Sequence, residues 1–194
     1  MDAALRFGNK GAAAFLRFKD FSSEFITNIE LSENVKESLA LSLENGLGFY
    51  EWRKGLNTLF DSYGIPLLKT DQAEIIYCTE SSLAFGAHHF TQLQNTTDRF
   101  PYWQYATCGD ERVRESHRQL DGKIFWCDDF QFFPPLGLSC RCRAISVSIY
   151  QAERLGIKGP DIVPYELIID LLEDDFFLKK KKYFQDWIGS LKES

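Results

Sequence analysis

Residues 102–143 read YWQYATCGDERVRESHRQLDGKIFWCDDFQFFPPLGLSCRCR, and the rest of the chain is read outward from them. The stretch holds Cys108, Cys127, Cys140 and Cys142, four of the five cysteines, and His117, one of only three histidines. Cys140 and Cys142 stand two apart directly before AISVSIY (144–150), whose apolar and small polar residues alternate as in a half-buried strand. If that strand extends back to Cys140, both thiols point to one face, because strand side chains repeat every second residue. Two convergent thiols and a histidine brought in from elsewhere suit a thiolate-rich zinc site.

Within the same stretch, PYWQYATC (101–108) predicts a strand, ERVRESHRQL (111–120) a short helix, and LDGK (120–123) a turn leading into the short strand IFW (124–126). Gly122 is expected to supply a positive φ in that turn. FPPLG (133–137) is a rigid aromatic loop that delivers the chain to SCRC.

Upstream the pattern is helical. Phe15, Leu16, Phe18, Phe21, Phe25 and Ile26 suggest a docking helix behind a mobile end, with Gly8 and Gly11 interrupting its start. Ser32 reads as the N-cap of a helix carrying Val35, Leu39 and Leu43 on one face and closed by Gly46. A second helix places Phe49, Trp52, Leu56, Leu59 and Phe60 inward and ends at Gly64 before Pro66. A third begins at a capping box of Asp71 and Glu74 and buries Ile75, Ile76, Thr79, Leu83, Gly86, Phe90 and Leu93. Gly86 and Ala87 would let another element approach closely. His88 and His89 lie on this helix, cannot share one face, and read as polar residues at its flank.

Downstream, GPDIVPYE (159–166) reads as a linker, followed by helices in YELIIDLLEDDFF (165–177) and KKYFQDWIGSL (181–191). The run Lys179–Lys182 reads as a solvated face.

The chain has 194 residues with 44% hydrophobic and 15% aromatic content, which sets it among globular chains with one real core. Its 17 phenylalanines imply either a generous core or surfaces buried on assembly. A formal charge of −6 gives no overall basic field for nucleic acid. No run is apolar enough to span a bilayer, and the first residues do not read as a signal peptide. An odd number of cysteines favours free thiols or metal ligands over a disulfide framework.

The segments EIIYCTESSLAFGAHHFTQL (74–93), WQYATCGDERVRESHRQLDGKIF (103–125) and PPLGLSCRCR (134–143), with GLGFYEWRKGLNTLF (46–60) ahead of them, together carry a family likeness. The specific part is D-x-R-x-R-x-x-H, then L-D-G-K, then C-R-C-R. The chain resembles the Mu F-like minor head protein domain of tailed bacteriophages, the head morphogenesis family typified by the SPP1 minor head protein. The likeness covers about Leu43–Ile149. It implies a minor component of the virion head, assembled in the host cytoplasm. Its implied partners are the portal protein or the major capsid protein, with contact to double-stranded DNA during packaging or ejection. The motif positions are Asp110, Arg112, Arg114, His117, Asp121, Gly122, Lys123, Cys140, Arg141 and Cys142. Cys108 and Cys127 are not called for by the motif, and many relatives are longer.

Zinc held by His117, Cys140 and Cys142 needs a fourth ligand. Asp110 is the choice the resemblance implies, while Cys127 or Cys108 would make the site richer in thiolate. The alternative is small buried cysteines and a satisfied polar histidine. Nucleobase deaminases use a similar ligand set, but with a glutamate two residues after the histidine and a P-C-x-x-C pair. Here Gln119 and C-x-C stand instead. Arg112 and Arg114 either clamp a phosphate backbone or pair with Asp110, Glu111 and Asp121.

The expected fold is α+β. A helical hairpin or bundle (1–95) leads into a small mixed or antiparallel sheet domain with a zinc knuckle (96–150) and a helical C-terminal extension (151–194). The expected role is structural, in head morphogenesis of a phage or prophage, without catalysis. A metal-dependent nuclease or toxin-type effector, or a DNA-binding head adaptor, is the alternative.

Overall fold

The computed structural model describes residues 3–21, 23–172 and 174–192. Its architecture is α+β, with eight helices and one three-stranded antiparallel sheet among the described residues. Packing divides the chain into two units, Met1–His88 and His89–Ser194. The division falls inside a helix, and residues 151–194, expected as an extension, belong to the same unit as the sheet.

The first unit is helical: α1 (Ala3–Phe18), α2 (Ile29–Glu44), α3 (Phe49–Ser62) and the first part of α4 (Thr70–Gln94). Leu31, Val35, Leu39 and Leu43 recur every fourth residue along α2 and are all buried, as an amphipathic helix requires. Trp52, Leu56 and Phe60 do the same on α3, whereas Leu59 is only half-buried.

Two predicted starts differ. The N-cap of α2 is Asn28, whose side chain accepts from the Leu31 N–H at 2.8 Å, and Ser32 is buried within the helix. At α4 the Lys69 N–H donates to the Gln72 side chain at 3.0 Å, so the reciprocal contact of a capping box is made by Gln72 and not by Glu74.

α1 runs unbroken through Gly8 and Gly11. A Cβ at Gly11 would lie 2.0 Å from Nδ1 of His88, so the missing side chain is what lets the imidazole seat there. Lys19, buried, pairs with Glu80 at 2.7 Å.

In the second unit, β1 (Tyr102–Ala106) lies between β2 (Ile124–Trp126) and β3 (Arg143–Val147), antiparallel to both. Trp103 and Tyr105 share one face of β1 and are fully buried. Trp103 stacks on Phe125 at 4.4 Å and meets Phe133 edge-on at 5.0 Å, so the aromatic loop after β2 covers this face. On the other face Tyr102, Ile124 and Val147 pack with Ala152 of α6 (Ile149–Leu155).

Two expectations are corrected here. β3 starts at Arg143, so Cys140 and Cys142 lie in the loop before it, and strand alternation is not what brings them together. The end of AISVSIY is helical, because Ser148 and Gln151 form a full capping box and start α6.

The segment read as a linker is pinned. Asp161 accepts from the Ile124 N–H at 2.7 Å through its carboxylate and donates its own N–H to the Ile124 carbonyl at 2.8 Å, extending the edge of β2. Beyond it come α7 (Tyr165–Leu172) and α8 (Asp175–Lys192). The lysine run on α8 is not uniformly solvated. Lys179 pairs outward with Asp175, but Lys180 is 1% exposed and donates to the Phe133 carbonyl at 2.7 Å. Helical spacing turns one lysine in four toward the aromatic core, and the carbonyl there satisfies it.

Candidate metal centre

After β1 the chain loops through residues 107–114 into the single turn α5 (Glu115–Arg118), which carries His117. Leu120–Lys123 then turns it back into β2, with Gly122 at φ 78° donating its N–H to the Tyr105 carbonyl at 2.8 Å. This positive φ is strained for any side-chain-bearing residue. Asp121 fixes the loop by accepting from the Thr107 N–H at 2.7 Å. His117 is thereby held beneath β1, its ring edge-on to Tyr105 at 6.4 Å.

The sulfurs come from the loop that leads into β3. Gly137 (φ 123°) and Ser139 (φ 51°) bend it, presenting first the Leu136 carbonyl and then the two thiols. His117 Nε2 lies 3.0 Å from the Leu136 oxygen. A carbonyl only accepts, so Nε2 carries the hydrogen and Nδ1 keeps its lone pair. That lone pair faces Cys142 Sγ at 3.4 Å and Cys140 Sγ at 3.7 Å. The three ligand atoms all lie within 4.8 Å of one another.

A tetrahedral zinc ion with ordinary Zn–S and Zn–N bonds would hold nitrogen and sulfur about 3.5 Å apart. The two observed separations bracket that value, so the trio could hold a metal ion. The Nε2–carbonyl bond is the outer contact that metal-ligating histidines use to fix their tautomer. His117 and Cys140 are buried and Cys142 is half-buried.

The thiols polarise one another. Cys140 is held below the usual thiol range, first by its hydrogen bond with Cys142 and then by His117 and backbone groups. Cys142 is pushed up by the same bond to Cys140, and then by burial. A shared proton on paired sulfurs is what a metal displaces, since the thiolate is the ligand. The Tyr105 hydroxyl is buried without a hydrogen bond of ordinary geometry. Burial, then the two thiols, oppose its ionisation, so it stays a donor aimed at the sulfurs.

The other expected residues are placed as follows. Asp110 is half-buried and engaged at two points by Arg141, at 2.6 and 2.7 Å, while also accepting from the Arg112 N–H at 3.1 Å. Arg141, first among the causes, holds the Asp110 carboxyl below its usual range. Asp110 is therefore occupied as an ion-pair partner and stands outside the trio. Its partner is Arg141, not the Arg112 or Arg114 guanidinium. Arg114 donates to the Leu138 carbonyl at 2.7 Å and supports the sulfur-bearing loop. Lys123 donates to the Ile162 carbonyl at 3.0 Å.

Cys108 is exposed and donates to the Arg141 carbonyl at 3.1 Å. It lines, with Arg112, Arg114 and the trio, a cleft of about 190 Å³. Cys127 lines no part of that cleft; burial, then Asp128, pushes its thiol up. His89 bonds Ser146 at 3.1 Å. Sequence reasoning missed Tyr105 and Lys180. The W-x-Y repeat within the predicted strand was the available signal for Tyr105, and Lys180 had none.

A small sheet unit whose loops converge a histidine and two cysteines forms a candidate metal centre. Residues 33–145 match the model of the family described as Phage Mu protein F like protein. The chain belongs to that family. It is 37% identical over 151 residues to the provisionally named capsid assembly protein F of Escherichia phage Mu, covering 68% of this chain and 34% of that protein. It is 28% identical over 147 residues to the FluMu F protein of a Mu-like prophage of Haemophilus influenzae, covering 68% and 36%. The chain thus spans about a third of the length of these relatives. No solved structure matches it. Among the described residues, no helix is long and apolar enough to cross a membrane.

Proposed function

We propose that this chain is a minor head protein of a tailed phage or prophage, acting structurally in head morphogenesis near the portal and without catalysis. The observation that carries the reading is the family match across residues 33–145, reinforced by a phage relative whose name is that of a capsid assembly protein. Its partners would be the portal or major capsid protein, and DNA would pass nearby during packaging or ejection. Its place would be the virion head, after assembly in the host cytoplasm.

The metal would be zinc, held by His117, Cys140 and Cys142. The ion would supply a cross-link between the loop after β1 and the loop before β3, and no reaction chemistry. The donor set supports that role. Two sulfurs and a nitrogen with a fixed tautomer suit a structural knuckle once a fourth ligand closes the set, and Glu115, on α5, pairs with Arg118 at 3.4 Å. Asp110, Arg112, Arg114, Asp121, Gly122, Lys123 and Arg141 would shape the loops around the ion.

The test is genetic and biochemical. In an inducible lysogen that carries this gene, its deletion should stop the formation of DNA-filled heads, and complementation should restore it with the protein present in purified heads. Normal titres of filled heads from the deletion strain would contradict the proposal.

A further inference from the structure

The trio leaves one corner of a tetrahedron to be filled, and the choice decides whether the centre is sealed or open to reaction. Asp110 is held at two points by Arg141 and would have to give up that pair. Cys127 is not part of the cleft, whose lining includes Cys108, His117, Cys140 and Cys142. Cys108 is tied to the same short segment as the two ligand sulfurs, because it donates to the carbonyl of Arg141, the residue between them. Its side chain is exposed, so turning to another staggered rotamer costs little.

Resting on the zinc reading above, we propose that Cys108 provides the fourth ligand, closing the centre as three sulfurs and one nitrogen. The ion then ties the loop after β1 to the loop before β3 at two points on each side. Zinc binding forms the Cys108 sulfur–metal bond and releases that thiol's proton to solvent. A sealed centre of this kind has no position for a substrate or an attacking water.

The test uses the full chain loaded with cobalt(II) in place of zinc, whose near-ultraviolet sulfur-to-metal absorption scales with the number of thiolates. Cys108→Ser should lose about a third of that intensity while keeping the other ligands. Cys127→Ser and Asp110→Asn should keep all of it. In the wild-type chain, zinc should shield Cys108 from alkylation by iodoacetamide, as read by peptide mass spectrometry.

An unchanged cobalt spectrum in Cys108→Ser, or equal alkylation of Cys108 with and without zinc, would overturn the fourth-ligand proposal while leaving the three-residue centre standing. An unchanged cobalt spectrum in Cys108→Ser together with weakened cobalt binding by Asp110→Asn would hand the position to that carboxylate. A wild-type chain that takes up no cobalt or zinc would overturn the centre itself.

Discussion

Residues Met1–His88 and His89–Ser194 are held together by different means. In the first unit, helices with apolar residues every third or fourth position bury Phe15, Leu16, Val35, Leu39, Trp52, Leu56 and Phe60, and each backbone satisfies itself. In the second, the sheet is small, with β2 only three residues long, and long stretches between strands have little regular structure. An aromatic cluster around Trp103 closes one end, and the loops that carry His117, Cys140 and Cys142 meet at the other. Helical repetition makes a core from local pattern alone. A short sheet with long loops needs point contacts, either large rings or a shared ion.

That contrast can be broken most sharply by removing the proposed metal. Structural zinc contributes on the order of 10 kcal/mol to the fold that binds it. Chelation, or Cys140→Ser, should therefore strip hydrogen-exchange protection from β1 and β3 while amides of α2 keep theirs. Equal loss in both units, or none in either, would erase the distinction.

The next largest effect is expected at the other end of the sheet unit. Trp103 is fully buried and ring-stacked, so Trp103→Ala should cost about 3–5 kcal/mol in denaturant unfolding. Zinc content should stay at one ion per chain if the unit still folds at low denaturant.

Within the helical unit, Gly11→Ala would drive a methyl group into the His88 imidazole. It should destabilise by about 1–3 kcal/mol, as overpacking does, without changing metal content. A neutral or stabilising result would show that the imidazole is free to move aside.

The smallest effect concerns pH. Burial lowers the His88 pKa from its usual 6.5, so below that pH the unfolded chain takes up a proton that the fold resists. Stability of the helical unit should be fully present above pH 6.5 and decline as the pH falls through the lowered value, by under about 1 kcal/mol given the partial exposure. His88→Gln should flatten that part of the thermal-melting profile.

The same contrast explains what the sequence disclosed. The faces of α2, α3 and α4 were legible because helical periodicity repeats a local rule, and the strand in PYWQYATC was legible as β1, although the burial of Tyr105 beside His117 was not. Boundaries that depend on one side chain were not. Asn28 took the cap from Ser32, and Gln72 took the contact from Glu74, because competing caps one turn apart differ by a fraction of their small energies.

The convergence of Cys140 and Cys142 was expected from a strand, yet a bent loop produces it through Gly137 and Ser139. Positive φ at a serine has no local sequence signature. Asp110 stood at the right motif position for a ligand, but Arg141 stands two-pronged against it, a tertiary pairing that spacing does not reveal. Lys180 was hidden for a like reason: a lysine run reads as solvated until one of its members meets a buried carbonyl.

The central claim is that an ion sits between His117 and the paired cysteines. Diffraction from crystals of the full chain grown with zinc, measured above and below the zinc absorption edge, tests it most directly. The account predicts one anomalous peak within bonding distance of His117 Nδ1, Cys140 Sγ and Cys142 Sγ. No peak there, or a peak that those three atoms do not surround, would contradict it.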